Sequence, residues 1–340
     1  MSHDLLVHLA ERYAFDATPA FADLGVYHVP FDSMTGGTDV EARLRTCTVR
    51  GERVALIAKS GNGKSGAMSH VLGPTAVGVA PILVPVRPLE KGAATPARVA
   101  DEILHLIRRY VQQSSIGSVT GTARRISERH RRSSGLVLAG PWLKGELARQ
   151  IERQTEIEVP IPLREKTEVI NQIFSMIHQD DLQPVIVFDD TDRWLFATDA
   201  ETIQRFFSEV LRWLTELPVS VVVATHDQYL SGDAPGNIAG GTPLLEFLDT
   251  RIDIPRVPSM DTFALILARR VEHNSHEYDL TEIPLSAVVE HGAIDMLFKF
   301  YVQGLSLRRT LQLVHISLSE AVSSGADMIG LDHVIAAQRA

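Results

Sequence analysis

The chain has 340 residues, 45% hydrophobic and 22% charged, a balance typical of globular proteins that allows one large α/β domain and a smaller one. No apolar run approaches the roughly 18 residues that cross a bilayer, and no basic stretch leads into an apolar core at the N-terminus, so nothing in the residues suggests a membrane-spanning helix or export. A net charge of −9 argues against global attraction to nucleic acid, and the single cysteine, Cys47, excludes an internal disulfide framework and fits a reducing, cytoplasmic compartment.

The first fifty residues read as a helix over 5–13, loops around Pro30 and a Gly-Gly turn at 35–38, then a short helix over 39–45. Residues 53–58 form an almost wholly apolar run, the mark of a strand buried on both faces of a parallel sheet. It leads into a Gly/Ser-rich loop at 59–65 and a helix over 66–72. A second apolar strand is predicted over 80–86. Thr95 then caps a helix over 95–113, with Pro96 at its first position and Val99, Ile103, Leu106 and Tyr110 on one face. Further strands are predicted over 184–188, 219–224 and 251–254. The helix before 219 carries Ile203, Phe206, Phe207, Val210, Leu211 and Leu214 on one stripe. After Pro258 every periodic segment is helical: 261–273, 285–291, 293–301, 307–323 and 331–338. The pattern predicts a doubly wound, parallel, five-stranded sheet in an αβα sandwich, followed by a small all-helical domain. The expected divisions are a lead segment 1–50, a core 51–256 with an arginine-rich insertion over about 114–160, and a helical domain 257–340.

The loop carries the chemistry. Gly61 and Gly63 let successive backbone amides turn inward, and those amides join a helix N-terminus to make an anion cradle. Ser60, Gly61, Asn62, Gly63, Lys64, Ser65 and Gly66 are the candidate ATP-binding residues. Lys64 would reach the β- and γ-phosphates, and the Ser65 hydroxyl would bind Mg²⁺. The full pattern, G-x-x-x-x-G-K-[ST], would place glycine where this chain has Ala58. Such a loop requires a second apolar strand ending in acid, and residues 184–188 run into Asp189 and Asp190. Asp189 is the candidate metal residue, acting through water. Asp190 is the candidate base for the lytic water. Trp194 follows close behind, either near the site or in the core.

This order of motifs resembles the AAA+ ATPases. The resemblance covers the chain from about residue 30 onward and rests most firmly on the two nucleotide motifs. It implies a polar sensor at the end of the strand over 219–224, which is Thr225, with His226 as the alternative. It implies a second, basic sensor at the start of a lid helix. Arg308 in Gly304-Leu-Ser-Leu-Arg308-Arg309-Thr-Leu311 carries the Arg-x-x-Leu spacing, with Arg309 as the alternative and the glycine one residue further away than usual. It also implies an arginine finger reaching a neighbouring subunit's nucleotide, for which Arg251 is the first candidate and Arg256 the reserve. Within the family the chain is similar to origin-recognition-like and STAND-like branches, and Asp189-Asp-Thr-Asp-Arg193 resembles the Asp-Asp-x-Asp-Arg stretch of KAP-type ATPases. Origin-binding relatives carry a winged-helix domain after the lid, and none is expected in the residues up to Ala340.

The arginine-rich insertion holds Arg124, Arg125, Arg129, Arg131 and Arg132, interrupted by Glu128 and without interleaved aromatics. Three readings stand: contact with nucleic-acid phosphates, which would be strongly salt-dependent, a subunit or partner interface, or a solvated face. The expected function is an ATP hydrolase that assembles with its own kind into a ring or filament and acts on DNA or a DNA-bound protein partner. The alternative is a STAND-like nucleotide switch with slow turnover. A small-molecule kinase comes third, since it would need neither a helical lid nor an acidic pair.

Overall fold

The computed structural model describes the chain except residues 1, 18, 20, 35–37, 74–75, 85–93, 118–161, 190, 192–199, 232–245, 276–282 and 340. Three short elements lead in: α1 (Ser2–Glu11), α2 (Phe21–Tyr27) and α3 (Val40–Val49). The core then alternates as predicted. It comprises β1 (Arg53–Ile57), α4 (Lys64–Leu72), β2 (Val79–Val84), α5 (Pro96–Gly117), α6 (Leu163–Gln179) and β3 (Gln183–Phe188). Next come α7 (Ala200–Arg205), a π-helical stretch (Phe206–Val210), α8 (Leu211–Leu214), β4 (Ser220–Thr225), α9 (Gln228–Ser231) and β5 (Thr250–Asp253). The helical remainder is α10 (Met260–Ser275), α11 (His291–Val302), α12 (Leu307–Ser323) and α13 (Leu331–Arg339).

The five strands form one all-parallel sheet in the order β2-β3-β4-β1-β5. Branched residues dominate because both faces are covered and each side chain must be apolar. The period of two is visible in the packing. Val185 and Val187 of β3 join Val222 and Ala224 of β4 in one cluster, while Ile186, Phe188, Val221 and Val223 point into the other. Each fully buried branched side chain contributes about 1.5–3 kcal/mol. Helices α5 and α6 and the segment from Ile203 to Leu214 cover the second face. On the first face α3 packs against β1, β3, β4 and β5, and the apolar cluster there continues through α4 and α1 into the C-terminal helices, so Leu56, Phe263, Leu297 and Val314 belong to one cluster. Helix α1 lies against α10 and α12, and α2 lies against α4 and α10.

One expectation is corrected, and one helix is added. The helix predicted over 285–291 is a 3₁₀ turn, Leu285–Ala287, followed by an isolated bridge between Val289 and Ile329. Ile329 N donates to Val288 O (2.8 Å) and Glu290 N donates to Ile329 O (2.9 Å), so these backbone groups are committed across the chain rather than along a helix. Helix α6 was not predicted, yet Lys166, Ile170, Ile173, Phe174 and Ile177 repeat at helical spacing along its buried face. Among the described residues no helix is long and apolar enough to cross a membrane.

Candidate functional site

Strand β1 delivers the loop. Ile57 stands in register with Thr225, and Ala58 N donates to Thr225 O (3.2 Å), so the pairing with β4 runs one residue past the strand. The backbone then turns through Gly61 (φ 77°) and Gly63 (φ 96°), left-handed conformations that glycine adopts without strain. Gly63 caps α4, whose first turn contains Lys64, Ser65 and Gly66. The opening amides of a helix have no intrahelical partner and carry the positive end of its dipole. Ala58 is compatible with this geometry. It is 6% exposed and is not among the positive-φ residues, so the turn needs no glycine there.

Lys64 is only 5% exposed. Its Nζ donates to Ala58 O (2.8 Å) and Lys59 O (3.3 Å), which hold the ammonium within the loop. Ser65 Oγ donates to Asp189 Oδ1 (2.9 Å), bringing together the two residues expected at the metal. These are hard oxygen donors, the kind Mg²⁺ prefers while keeping several of its waters. Because β4 lies between β1 and β3, the residue ending β4 sits between loop and acid. That residue is Thr225, fully buried, with no hydrogen-bond partner for its Oγ1. His226 turns back on its own loop, its Nδ1 accepting from Gln228 N (3.2 Å). Thr191, within the stretch after the acidic pair that sequence places near the site, and Tyr229, not singled out from sequence, brace this edge. Thr191 Oγ1 donates to Ala224 O (2.6 Å) and Tyr229 Oη donates to Thr191 O (3.2 Å). Asp190 and Trp194 lie outside the described residues, as do Arg124, Arg125, Arg129, Arg131 and Arg132.

The C-terminal helices reach the loop directly. Ser306 caps α12 by accepting from Arg309 N (3.3 Å). A Cβ placed on Gly61 would stand 2.9 Å from Ser306 Oγ and 3.0 Å from Arg308 Cβ. Arg308 lines the same cavity as the loop, whereas Arg309 is exposed and reaches Gln312 Oε1 (3.4 Å). Replacing Gly61 with alanine should therefore force the seam apart as well as strain a left-handed backbone, at a cost of about 1–3 kcal/mol. We expect a lower melting temperature and about ten-fold weaker ATP binding, measured by thermal unfolding and titration calorimetry. Gly63→Ala, whose Cβ meets only Phe31 Cζ at 3.7 Å, should carry the backbone strain alone.

The cavity measures about 270 Å³. Gly61 to Gly66, Asp189 and Arg308 make its polar part; Phe21, Leu24, Tyr27, Val29, Ile266 and Leu311 make much of its apolar part. The lead segment contributes more than sequence suggested. His28 Nε2 donates to Glu41 Oε1 (2.6 Å), with Phe31 N donating to the same oxygen (3.0 Å). Burial pushes the Glu41 carboxyl up, but these hydrogen bonds more than offset it and hold it below its ordinary value. His70, its ring 5.1 Å from that of His28, is held below its ordinary value by burial and by His28. Arg270 of α10 also lines the cavity.

Neither arginine-finger candidate lines this cavity. Arg251 is exposed on β5, where Nε and Nη2 chelate Asp253 (2.6–3.0 Å), and that carboxylate raises the guanidinium above its ordinary value. Arg256 donates from Nη2 to Tyr301 O (2.8 Å) and lies 4.8 Å from the Tyr301 ring centre, pinning the junction to α11.

No protein-family model matches this sequence, and no curated protein matches it. Solved structures do match. One is the ORC1 protein of Aeropyrum pernix in complex with DNA, 16% identical, TM-score 0.49, covering 92% of this chain and 65% of that one. Another is the ORC2 protein of Aeropyrum pernix in ADPNP–ADP complexes, 14% identical, TM-score 0.49, covering 92% and 70%. The ADP form of that ORC2 protein aligns at 14% identity and TM-score 0.47, covering 96% and 71%. The chain thus spans just under two thirds of the first of these proteins.

Proposed function

We propose that the chain is an ATPase of the AAA+ type that binds ATP–Mg²⁺ between its sheet and its C-terminal helices and hydrolyses it. The observation that carries this reading is the seam at Gly61, where the glycine-rich loop abuts Ser306 and Arg308, and where the loop and Arg308 line one cavity. A phosphate loop covered by a helix start with a basic residue couples the γ-phosphate to the position of those helices. In this reading the amides of residues 60–66 and Lys64 hold the phosphates. Mg²⁺ would be held by Ser65 and, through water, by Asp189; when bound it neutralises charge developing on the transferring phosphoryl group. Asp190 serves as base, and the unpartnered Thr225 hydroxyl supplies the polar group that orients the water. Arg308 senses the γ-phosphate. Residues 51–256 act as the core and 257–340 as the lid, with residues 1–50 closing the nucleoside side.

The nucleotide cycle then drives self-assembly or remodelling, on DNA or a DNA-bound partner, with Arg251 reaching the neighbour's nucleotide and the arginine cluster meeting DNA phosphate. The chelation of Arg251 by Asp253 favours the second reading, a slow nucleotide switch, in chains that stay monomeric, because the finger is then neutralised within its own subunit. Sizing the protein with ADP and then with a non-hydrolysable ATP analogue, with and without DNA, separates them. Assembly on the analogue supports the ring, and assembly only when DNA is present supports the nucleic-acid role. A monomer under every condition rejects assembly and leaves the switch.

A further inference from the structure

Arg270 is a cation that the phosphate chemistry does not use. It projects from α10, is 4% exposed, and still borders the cavity. Its charge is met by carbonyls and a ring. Nη1 donates to Asp16 O (2.7 Å) and Ala14 O (3.3 Å), and the guanidinium carbon lies 4.7 Å from the centre of the Tyr27 ring. Nε is buried and has no hydrogen-bond partner. Burial brings the guanidinium down to about 10, so it stays protonated at neutral pH. A buried, unused donor on a cation is costly to leave unmet, and a ligand acceptor is the natural remedy.

The surroundings say what kind of acceptor fits. Tyr27, Phe21 and Leu24 come from the lead segment, Ile266 comes from one turn before Arg270 on α10, and Leu311 comes from α12. This is an apolar wall with one flat ring, suited to a planar base. A guanidinium donates only, so on a purine it can engage a ring nitrogen but not an exocyclic amine. Resting on the reading that phosphates occupy residues 60–66, we propose that Arg270 recognises the nucleoside end of the ligand by donating to a purine ring nitrogen. The same side chain grips the carbonyls of residues 14 and 16, so base occupancy is felt both by α10 and by the segment joining α1 to α2. Arg270 is thereby a specificity residue and a positioning residue at once.

The test uses the whole chain and five probes: ATP, its 1-deaza, 3-deaza and 7-deaza analogues, and inorganic tripolyphosphate as the base-free control. In the unaltered protein, one deaza analogue should bind about ten-fold more weakly than ATP. In Arg270→Met that difference should vanish, ATP should weaken by the same factor, and tripolyphosphate should change by less than about two-fold. Equal binding of all three analogues overturns the proposal, and so does a deaza penalty that persists in Arg270→Met. Equal weakening of ATP and tripolyphosphate in the variant also overturns it, because that marks a purely structural latch. Should Arg270→Met not fold, the analogue series on the unaltered chain decides, with Arg270→Lys expected to lose the deaza difference. If the unaltered protein binds neither ATP nor tripolyphosphate, the phosphate-loop reading has failed and the proposal falls with it. Tripolyphosphate binding with no deaza effect removes the proposal alone.

Discussion

Replacing Lys64 with alanine is expected to weaken ATP binding by about 10²-fold or more, close to the limit of detection by titration calorimetry. The ammonium already lies inside the loop, 2.8 Å from Ala58 O and 3.3 Å from Lys59 O. It is desolvated, so a phosphate arriving there gains a charge-assisted contact without reordering a long flexible side chain. Two such contacts at about 1.5–3 kcal/mol each account for the expected loss. The variant also leaves the Ala58 carbonyl without this donor, so thermal unfolding must accompany the titration. Lys64→Arg is the informative companion: charge is kept, but the planar fork does not fit a position shaped for one point charge. Arginine should restore less than a tenth of the lost affinity. ATP binding by Lys64→Ala equal to that of the unaltered chain would remove residues 59–65 from the nucleotide site.

The second large effect is on turnover rather than binding. Asp189→Asn should lower ATP hydrolysis by at least about 10²-fold while changing metal-free ATP affinity by only a few-fold. Asparagine keeps an oxygen able to accept from Ser65 Oγ, so the bond now seen at 2.9 Å can persist and the end of β3 can stay in place. What disappears is the negative charge that would hold Mg²⁺ beside the phosphates. Phosphate release should therefore lose its dependence on Mg²⁺ concentration, measured in a steady-state titration of the metal. Turnover within a few-fold of the unaltered enzyme, with the same Mg²⁺ dependence, would take Asp189 out of the metal site.

Much of this arrangement was legible in the residues because it is local. The apolar run ending at Ala58, the glycines at 61 and 63, and the acid closing β3 each announce themselves within a few positions, and the strands appear within one residue of their predicted starts. Thr225 and Arg308 were suggested by a resemblance; the sheet sets Thr225 between loop and acid because β4 separates β1 from β3, whereas Arg308 reaches the cavity from α12. The lead segment was harder. Tyr27 and His28 come to the cavity through long-range packing of α2 against α4 and α10, and nothing in a stretch of 50 residues reveals which distant helix it will meet. Arg270 was invisible for the same reason. On α10 it reads as one more helical arginine beside Arg269, which is exposed and pairs with Glu272 at 3.0 Å. Only tertiary structure separates the solvated one from the buried one. The missed 3₁₀ turn at Leu285–Ala287 has a similar cause, because the bridge partner, Ile329, lies forty residues ahead of Val289.

In the proposed arrangement ATP lies between the sheet and the C-terminal helices, with its base against the lead segment and α10. Photolabelling with 8-azido-ATP followed by peptide mapping tests that placement most directly. Label should appear on peptides containing Phe21–Tyr27, His28–Met34 or Ile266–Arg270, and excess ATP should suppress it. Suppressible label found instead on α5 or α6, which cover the opposite face of the sheet, would contradict the account.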